Sequence, residues 1–98
     1  MIPEISLHRL ARSEFLKALS YYRELDVITA RRFLDFYEQA LTEITLNPAA
    51  SEVLIDNIRR KLVRKFPYSI FYYQRDKIIR VVAVAHQSRR PFYWIGRD

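Results

Sequence analysis

The run Ile78-Ile79-Arg80-Val81-Val82-Ala83-Val84-Ala85 constrains the fold most, because it is β-branched and apolar at odd and even positions alike, Arg80 excepted. A strand apolar on both faces belongs in the interior of a sheet. Its purely apolar stretch, Val81 to Ala85, is far below the ~20 residues that a membrane span needs. The segments before it read as its neighbours. Tyr68 to Gln74 is aromatic and β-branched, as strands are, and Arg75-Asp76-Lys77 makes a polar turn. Arg59 to Lys65 is a basic strand with Leu62 and Val63 as its apolar residues, ended by Phe66-Pro67. Strands joined by turns this short pair as antiparallel hairpins.

The first half has a different period. Glu4 to Leu10 alternates, with Ile5 and Leu7 opposite Ser6 and His8, which predicts a half-buried strand. From Ala11 to about Arg23, Phe15, Ala18, Leu19 and Tyr22 follow helical spacing. Glu24-Leu25-Asp26 reads as a turn, with Asp26 as N-cap of the next helix. There Ala30, Phe33, Leu34, Tyr37, Ala40, Leu41 and Ile44 keep one face apolar until Asn47-Pro48, where the residue before proline leaves the α region. Helices joined so tightly run antiparallel. Ala49 to Asn57 reads as a loop with room for a helical turn. The order is therefore β-α-α-β-β-β, an α+β fold. Residues 1–98 form one domain in which a helical hairpin packs on one face of a small, largely antiparallel curved sheet and leaves the other face free.

Charge is unevenly placed. Up to Asp56 the chain carries a net −3; from Asn57 onward it carries +9. Such a field draws polyanions or an acidic partner. Cysteine is absent and the histidines number two, His8 and His86, so thiolate metal sites and a cysteine nucleophile are excluded, and neither metal nor cofactor is expected. A single glycine, Gly96, excludes a glycine-rich phosphate loop. The start, Met1-Ile2-Pro3-Glu4, lacks a signal-peptide layout, so the expectation is a soluble cytoplasmic protein.

Chemistry has few places left. In the basic strand, Arg59, Lys61 and Lys65 alternate with Arg60 and Arg64, so both faces meet cations. His86 follows the apolar strand, where it reads either as a general acid or base suited to RNA cleavage or as a histidine bonded to the adjacent turn. Arg89 and Arg90 are able to clamp a phosphate or carboxylate, or stand solvated before Pro91. Arg80 pairs with an acid such as Glu38 or Glu43, or faces the open side, since a lone buried arginine is too costly. Tyr93 and Trp94 read as base-stacking residues or as residues closing a tail over the core. Tyr21, Tyr22 and Tyr37 read as helix packing.

Arg59-Arg60, Leu62, Phe66-Pro67-Tyr68-Ser69-Ile70-Phe71-Tyr72, Ile79, Ala83-Val84-Ala85-His86-Gln87-Ser88-Arg89-Arg90-Pro91, Tyr93-Trp94 and Arg97 together resemble the RelE/ParE superfamily of toxins from type II toxin–antitoxin modules. Ala11, Ser13-Glu14-Phe15, Tyr21-Tyr22, Phe33 and Ile44 through Asn47-Pro48 are similar to that family's helical hairpin. The Pro67-Tyr68 strand and the Pro91 to Trp94 tail resemble the ParE-like branch. The resemblance implies a toxin that inhibits DNA gyrase by binding it. It also implies a cognate antitoxin that wraps an acidic, partly apolar segment around the toxin at a sheet edge or beside the helical hairpin. On this reading Arg60, Arg80, Arg89, Arg90, Trp94 and Arg97 bind target or antitoxin, and no membrane is involved. The RelE-like alternative is a ribosome-dependent mRNA endoribonuclease, with His86 as general acid, Arg59, Lys61 and Arg64 on the phosphate and Tyr93 stacking. A third reading is a nontoxic nucleic-acid-binding module.

Overall fold

The computed structural model describes residues 2–98. It places β1 at Glu4–Leu7, α1 at Arg9–Leu25, α2 at Val27–Leu46, a 3-10 turn at Pro48–Ala50, β2 at Glu52–Ile55, β3 at Ile58–Leu62, β4 at Tyr68–Arg75 and β5 at Ile78–His86. Asp26 alone separates the helices and serves both. Its N–H donates to the Tyr22 carbonyl at 2.9 Å and closes α1. Its carboxylate accepts the N–H groups of Ile28 and Thr29, both at 3.3 Å, and opens α2. Such a cap satisfies donors that a helix start otherwise leaves orphaned. The Thr29 hydroxyl on that carboxylate, followed by the Ile28 N–H, holds its pKa below the usual value. Asn47 ends α2.

The five strands lie in the order β1-β5-β4-β3-β2. β1 runs parallel to β5 and every other pair is antiparallel, so the expected largely antiparallel α+β sheet is present and the apolar strand is interior. Three local boundaries differ from expectation. The alternation read as a strand to Leu10 stops at Leu7, because His8 caps a helix that begins at Arg9: its Nδ1 accepts the Leu10 N–H at 3.1 Å. The basic strand ends at Leu62, since Lys65 turns with a φ of 68° before Pro67. Within the expected loop, Glu52–Ile55 forms an edge strand on β3, with a register shift between Val53 and Ile55.

One layer of core lies between hairpin and sheet. Phe33, Ile44, Ile70, Tyr72, Ile79 and Val81 are fully buried there, and the Phe15 and Tyr37 rings stack at 4.1 Å. Truncating a side chain such as Phe33 in a core of this kind costs about 3–5 kcal/mol. Burial pushes the Tyr37 hydroxyl up to about 12. Tyr22 and Tyr37 are packing residues as expected, whereas Tyr21 is 57% exposed.

The opposite face is not free along its whole length, which corrects the expectation. Register passes from Phe71↔Ala83 to Tyr72↔Val81, leaving Val82 as the extra residue of a β-bulge. Val82 and Ala83 form a second buried cluster with Trp94, against which Phe71, Tyr73 and Tyr93 pack. The C-terminal tail folds back to supply that cover. Among the described residues no helix is long and apolar enough to cross a membrane.

Candidate docking groove

The strand pleat sorts the cations onto two faces. In β3, Arg59 pairs with Tyr72 and Lys61 with Ile70, both of the hairpin-side core, while Arg60 pairs with Phe71 on the tail side. Arg59 donates through Nη1 to the carbonyls of Ala49 at 3.1 Å and Ser51 at 2.7 Å, clamping the 3-10 turn to the sheet. Lys61 Nζ lies 2.7 Å from Glu43 on α2, and Arg64 reaches the same carboxylate at 3.6 Å. The hydrogen bond from Lys61, more than the charges around it, lowers the Glu43 pKa. Arg59, Lys61 and Arg64 thus do not lie on an open sheet face. They tie the sheet to the helical side.

Arg80 meets neither Glu38 nor Glu43. It turns to the tail side, donating to the Ser6 hydroxyl at 2.6 Å and to the Asp98 carbonyl at 3.2 Å. Arg60 pairs with Glu52 across β2 and β3.

The tail is fastened by a junction centred on Glu14 of α1. One carboxylate oxygen accepts the Val84 N–H at 3.0 Å and Arg97 Nη1 at 2.9 Å; the other accepts the Tyr93 hydroxyl at 2.6 Å and Arg97 Nη2 at 3.1 Å. Arg97 also donates to the Val82 carbonyl at 3.0 Å. Both charged side chains are 14% exposed. Burial first, then the hydrogen bond to Glu14, raises the Tyr93 pKa. The Arg89 guanidinium lies 3.9 Å from the centroid of the Tyr93 ring, a cation–π contact. Trp94, 2% exposed, packs its ring 4.8 Å from Phe71. Trp94 and Arg97 are therefore structural rather than available to a partner, and Tyr93 is held in the same junction. Glu14 did not stand out in the sequence beyond its place in the hairpin resemblance. A glutamate three residues past a buried alanine is its only local signal.

Between β3, β4 and the tail, a groove of about 480 Å³ stays open. Arg60, Arg89 and Arg90 line it together with Leu62, Phe71 and Phe92, and none of its lining residues is acidic. Leu62 and Phe92 are 62% and 44% exposed. Phe92 sits at a φ of 60°, a left-handed conformation that costs an aromatic residue free energy. His86 stands at the groove's end, where its Nδ1 accepts the Ser88 N–H at 3.0 Å and its ring meets Tyr68 edge-on at 5.1 Å. The bond to the adjacent turn assigns the proton of neutral His86 to Nε2. Of the residues singled out from sequence, Arg60, Arg89, Arg90, His86, Tyr93 and Trp94 border this groove; Arg59, Lys61, Arg64, Arg80 and Arg97 do not.

A helical hairpin on one face of a mixed sheet, with a cation-rimmed groove under a folded-back tail on the other, makes this an α+β domain with one face set aside for recognition. The sequence pattern of the family described as the ParE toxin of type II toxin-antitoxin system, parDE, matches residues 5–91. The chain belongs to that family, and it is a type II toxin. No curated protein matches the chain. Among solved structures, a chain of the chromosomal ParDE TA system from P. aeruginosa is similar, with a TM-score of 0.74 at 13% identity, covering 87% of this chain and 96% of that one. At that identity the likeness speaks for the fold.

Proposed function

We propose that this toxin acts by docking onto DNA gyrase, and that a cognate antitoxin neutralises it by laying an acidic, partly apolar segment into the groove. The observation that carries the reading is the groove's composition. Arg89 and Arg90, with Arg60 held by Glu52 at the rim, surround exposed Leu62 and Phe92, and none of the lining residues is a carboxylate. A concave apolar surface with a few charged groups is the form of a recognition site, and its single sign of charge selects an acidic occupant. Backbone strain at Phe92 supports the same reading, because strained conformations gather at binding surfaces.

Binding is favoured over RNA cleavage because four of the five residues considered for cleavage already hold partners within the fold. Arg59 holds two carbonyls, Lys61 and Arg64 hold Glu43, and Tyr93 holds Glu14. Only His86 lies open to the groove without such a charged or hydroxyl partner. Membership of the ParE family supports gyrase over the ribosome as the target.

Purified protein added to a supercoiling reaction, and in parallel to a translating extract read by primer extension, tests the reading. Loss of supercoiling with intact mRNA is the expected result. Cleaved mRNA with unaffected gyrase makes the protein an endoribonuclease, and inactivity in both assays makes it a nontoxic binding module.

A further inference from the structure

Of the eleven cations after Asp56, six are engaged within the fold, and Lys65, Arg75, Lys77, Arg89 and Arg90 form no ion pair among the described residues. Arg59, Arg60, Lys61, Arg64, Arg80 and Arg97 all hold carboxylate, hydroxyl or carbonyl partners. Four earlier cations, Arg9, Arg12, Lys17 and Arg23, are exposed on α1, and among the described residues they form no ion pair. Helical periodicity puts them on the side of α1 opposite its buried residues Ala11, Ala18 and Tyr22. Leu16 and Ser20 lie among them, and Glu24, near the C-terminal end, is the one acid of that face.

Helix stability accounts for Arg23, which stands in the last turn of α1 where the dipole favours a cation, but not for the rest of the arrangement. Arg9 and Arg12 stand in and just after the first turn, where the helix dipole disfavours positive charge, and that turn holds no acid. Solubility alone is served equally well by mixed signs.

We propose that this outer face of α1 binds the phosphate backbone of duplex DNA. Arginine, lysine and serine are the side chains that contact phosphates. The face has one exposed large apolar residue in its midst, Leu16 at 51%, too little for the apolar anchors that a protein interface uses. Tyr21, 57% exposed one turn beyond Lys17, borders the face as a single ring, short of the successive aromatic platforms on which single-stranded bases stack. B-form DNA has a major groove wide enough to admit a helix, whereas that of duplex RNA is narrow. The groove faces the tail side of the sheet and α1 lies on the other, so a protein partner and DNA have separate surfaces. The inference goes beyond the gyrase reading and does not depend on it.

The test is binding of the full chain to a labelled DNA duplex by fluorescence anisotropy, from about 50 to 200 mM salt. Three or four phosphate contacts weaken affinity by about 40- to 150-fold across that range. The variant Arg9→Ala/Arg12→Ala/Lys17→Ala/Arg23→Ala is expected to lose this salt dependence and to melt close to the wild type, because alanine's helix propensity and the relieved dipole repulsion at Arg9 and Arg12 offset the favourable last-turn charge lost with Arg23. Arg89→Ala/Arg90→Ala is expected to keep wild-type DNA affinity within about threefold, as groove cations contribute no phosphate contact in this geometry. Unchanged DNA binding by the α1 variant overturns the proposal. Equal loss in both variants also overturns it, by reporting net charge alone, as does tighter binding to duplex RNA or displacement of the DNA by an acidic amphipathic peptide.

Discussion

Glu14 and Arg97, which are 83 positions apart in the chain, meet as a two-pronged ion pair with Nη1–Oε1 at 2.9 Å and Nη2–Oε2 at 3.1 Å. The pair does what a strand otherwise does. β1 ends at Leu7, opposite Val81, and beyond that point no strand lies beside this edge of β5 among the described residues. Glu14 accepts the Val84 N–H and Arg97 donates to the Val82 carbonyl, so side chains satisfy backbone groups that are costly to leave unpaired.

Removing one partner leaves the other charge largely buried and alone. Glu14→Ala is expected to destabilise the protein by about 3 kcal/mol, the usual cost of breaking such a pair, measured as a shift in the urea midpoint. Arg97→Ala should cost a similar amount. The double variant should cost clearly less than the sum, because neither charge is then stranded. Strict additivity would mean that the pair carries no coupling.

Trp94 reports on the same junction from the inside. It is the single tryptophan and fills the space over Phe71, Val82 and Ala83. Trp94→Ala is expected to cost about 3–5 kcal/mol and Trp94→Phe much less. Because the tail is bonded to both α1 and β5, tryptophan emission and far-UV circular dichroism should lose native signal at one urea midpoint. An emission shift preceding the loss of helix would show the tail to be a separate flap.

The same region shows where sequence reasoning stopped. The run from Ile78 to Ala85 announced an interior strand, and Asp26 and Asn47-Pro48 marked the helical hairpin, because capping and proline sterics act within a few residues. A strand apolar on both faces also requires cover on both, and the tail with Trp94 supplies it on the face that the sequence reading left free. Glu52 to Ile55 carried no clear alternation, since an edge strand with one neighbour needs none. Cation counting misled for a related reason. Periodicity tells which residues share a face of β3, but only tertiary packing brings Glu43 to Lys61 and Arg64, or Glu14 to Arg97. Of the candidate site, Arg89 and Arg90 were legible because a proline and an aromatic tail isolate them from strand pairing.

His8 makes the start of α1 sensitive to pH. Burial first, then the charges of Arg80 and Arg97, lowers its pKa from 6.5, and its Nδ1 caps the Leu10 N–H only while unprotonated. The unfolded chain therefore binds this proton more readily than the folded one. The contribution is fully present above pH 6.5 and is lost as pH falls through the lower folded value. His8→Ser keeps a capping oxygen without a titrating group. It is expected to flatten the decline in stability between about pH 7 and 5, measured as urea midpoints at each pH.

The groove makes a sharper prediction, because stability and binding should be separable by two substitutions. Phe92 holds a φ of 60° and is 44% exposed. Phe92→Gly removes the penalty of that backbone conformation, worth about 1 kcal/mol, which offsets the ring's lost contact with Trp94 and should leave stability within about 1 kcal/mol of wild type. The same change takes an aromatic anchor from the groove wall, and truncation of such anchors commonly costs 2 kcal/mol or more of binding. Antitoxin affinity should therefore fall by at least about tenfold. Arg59→Ala should do the reverse. It frees the carbonyls of Ala49 and Ser51 and should destabilise the fold by about 1–3 kcal/mol, while antitoxin affinity, measured by calorimetry below the unfolding transition, stays unchanged. If Phe92→Gly binds antitoxin as tightly as wild type while Arg59→Ala does not, recognition belongs to the helical side of the sheet and the groove assignment fails.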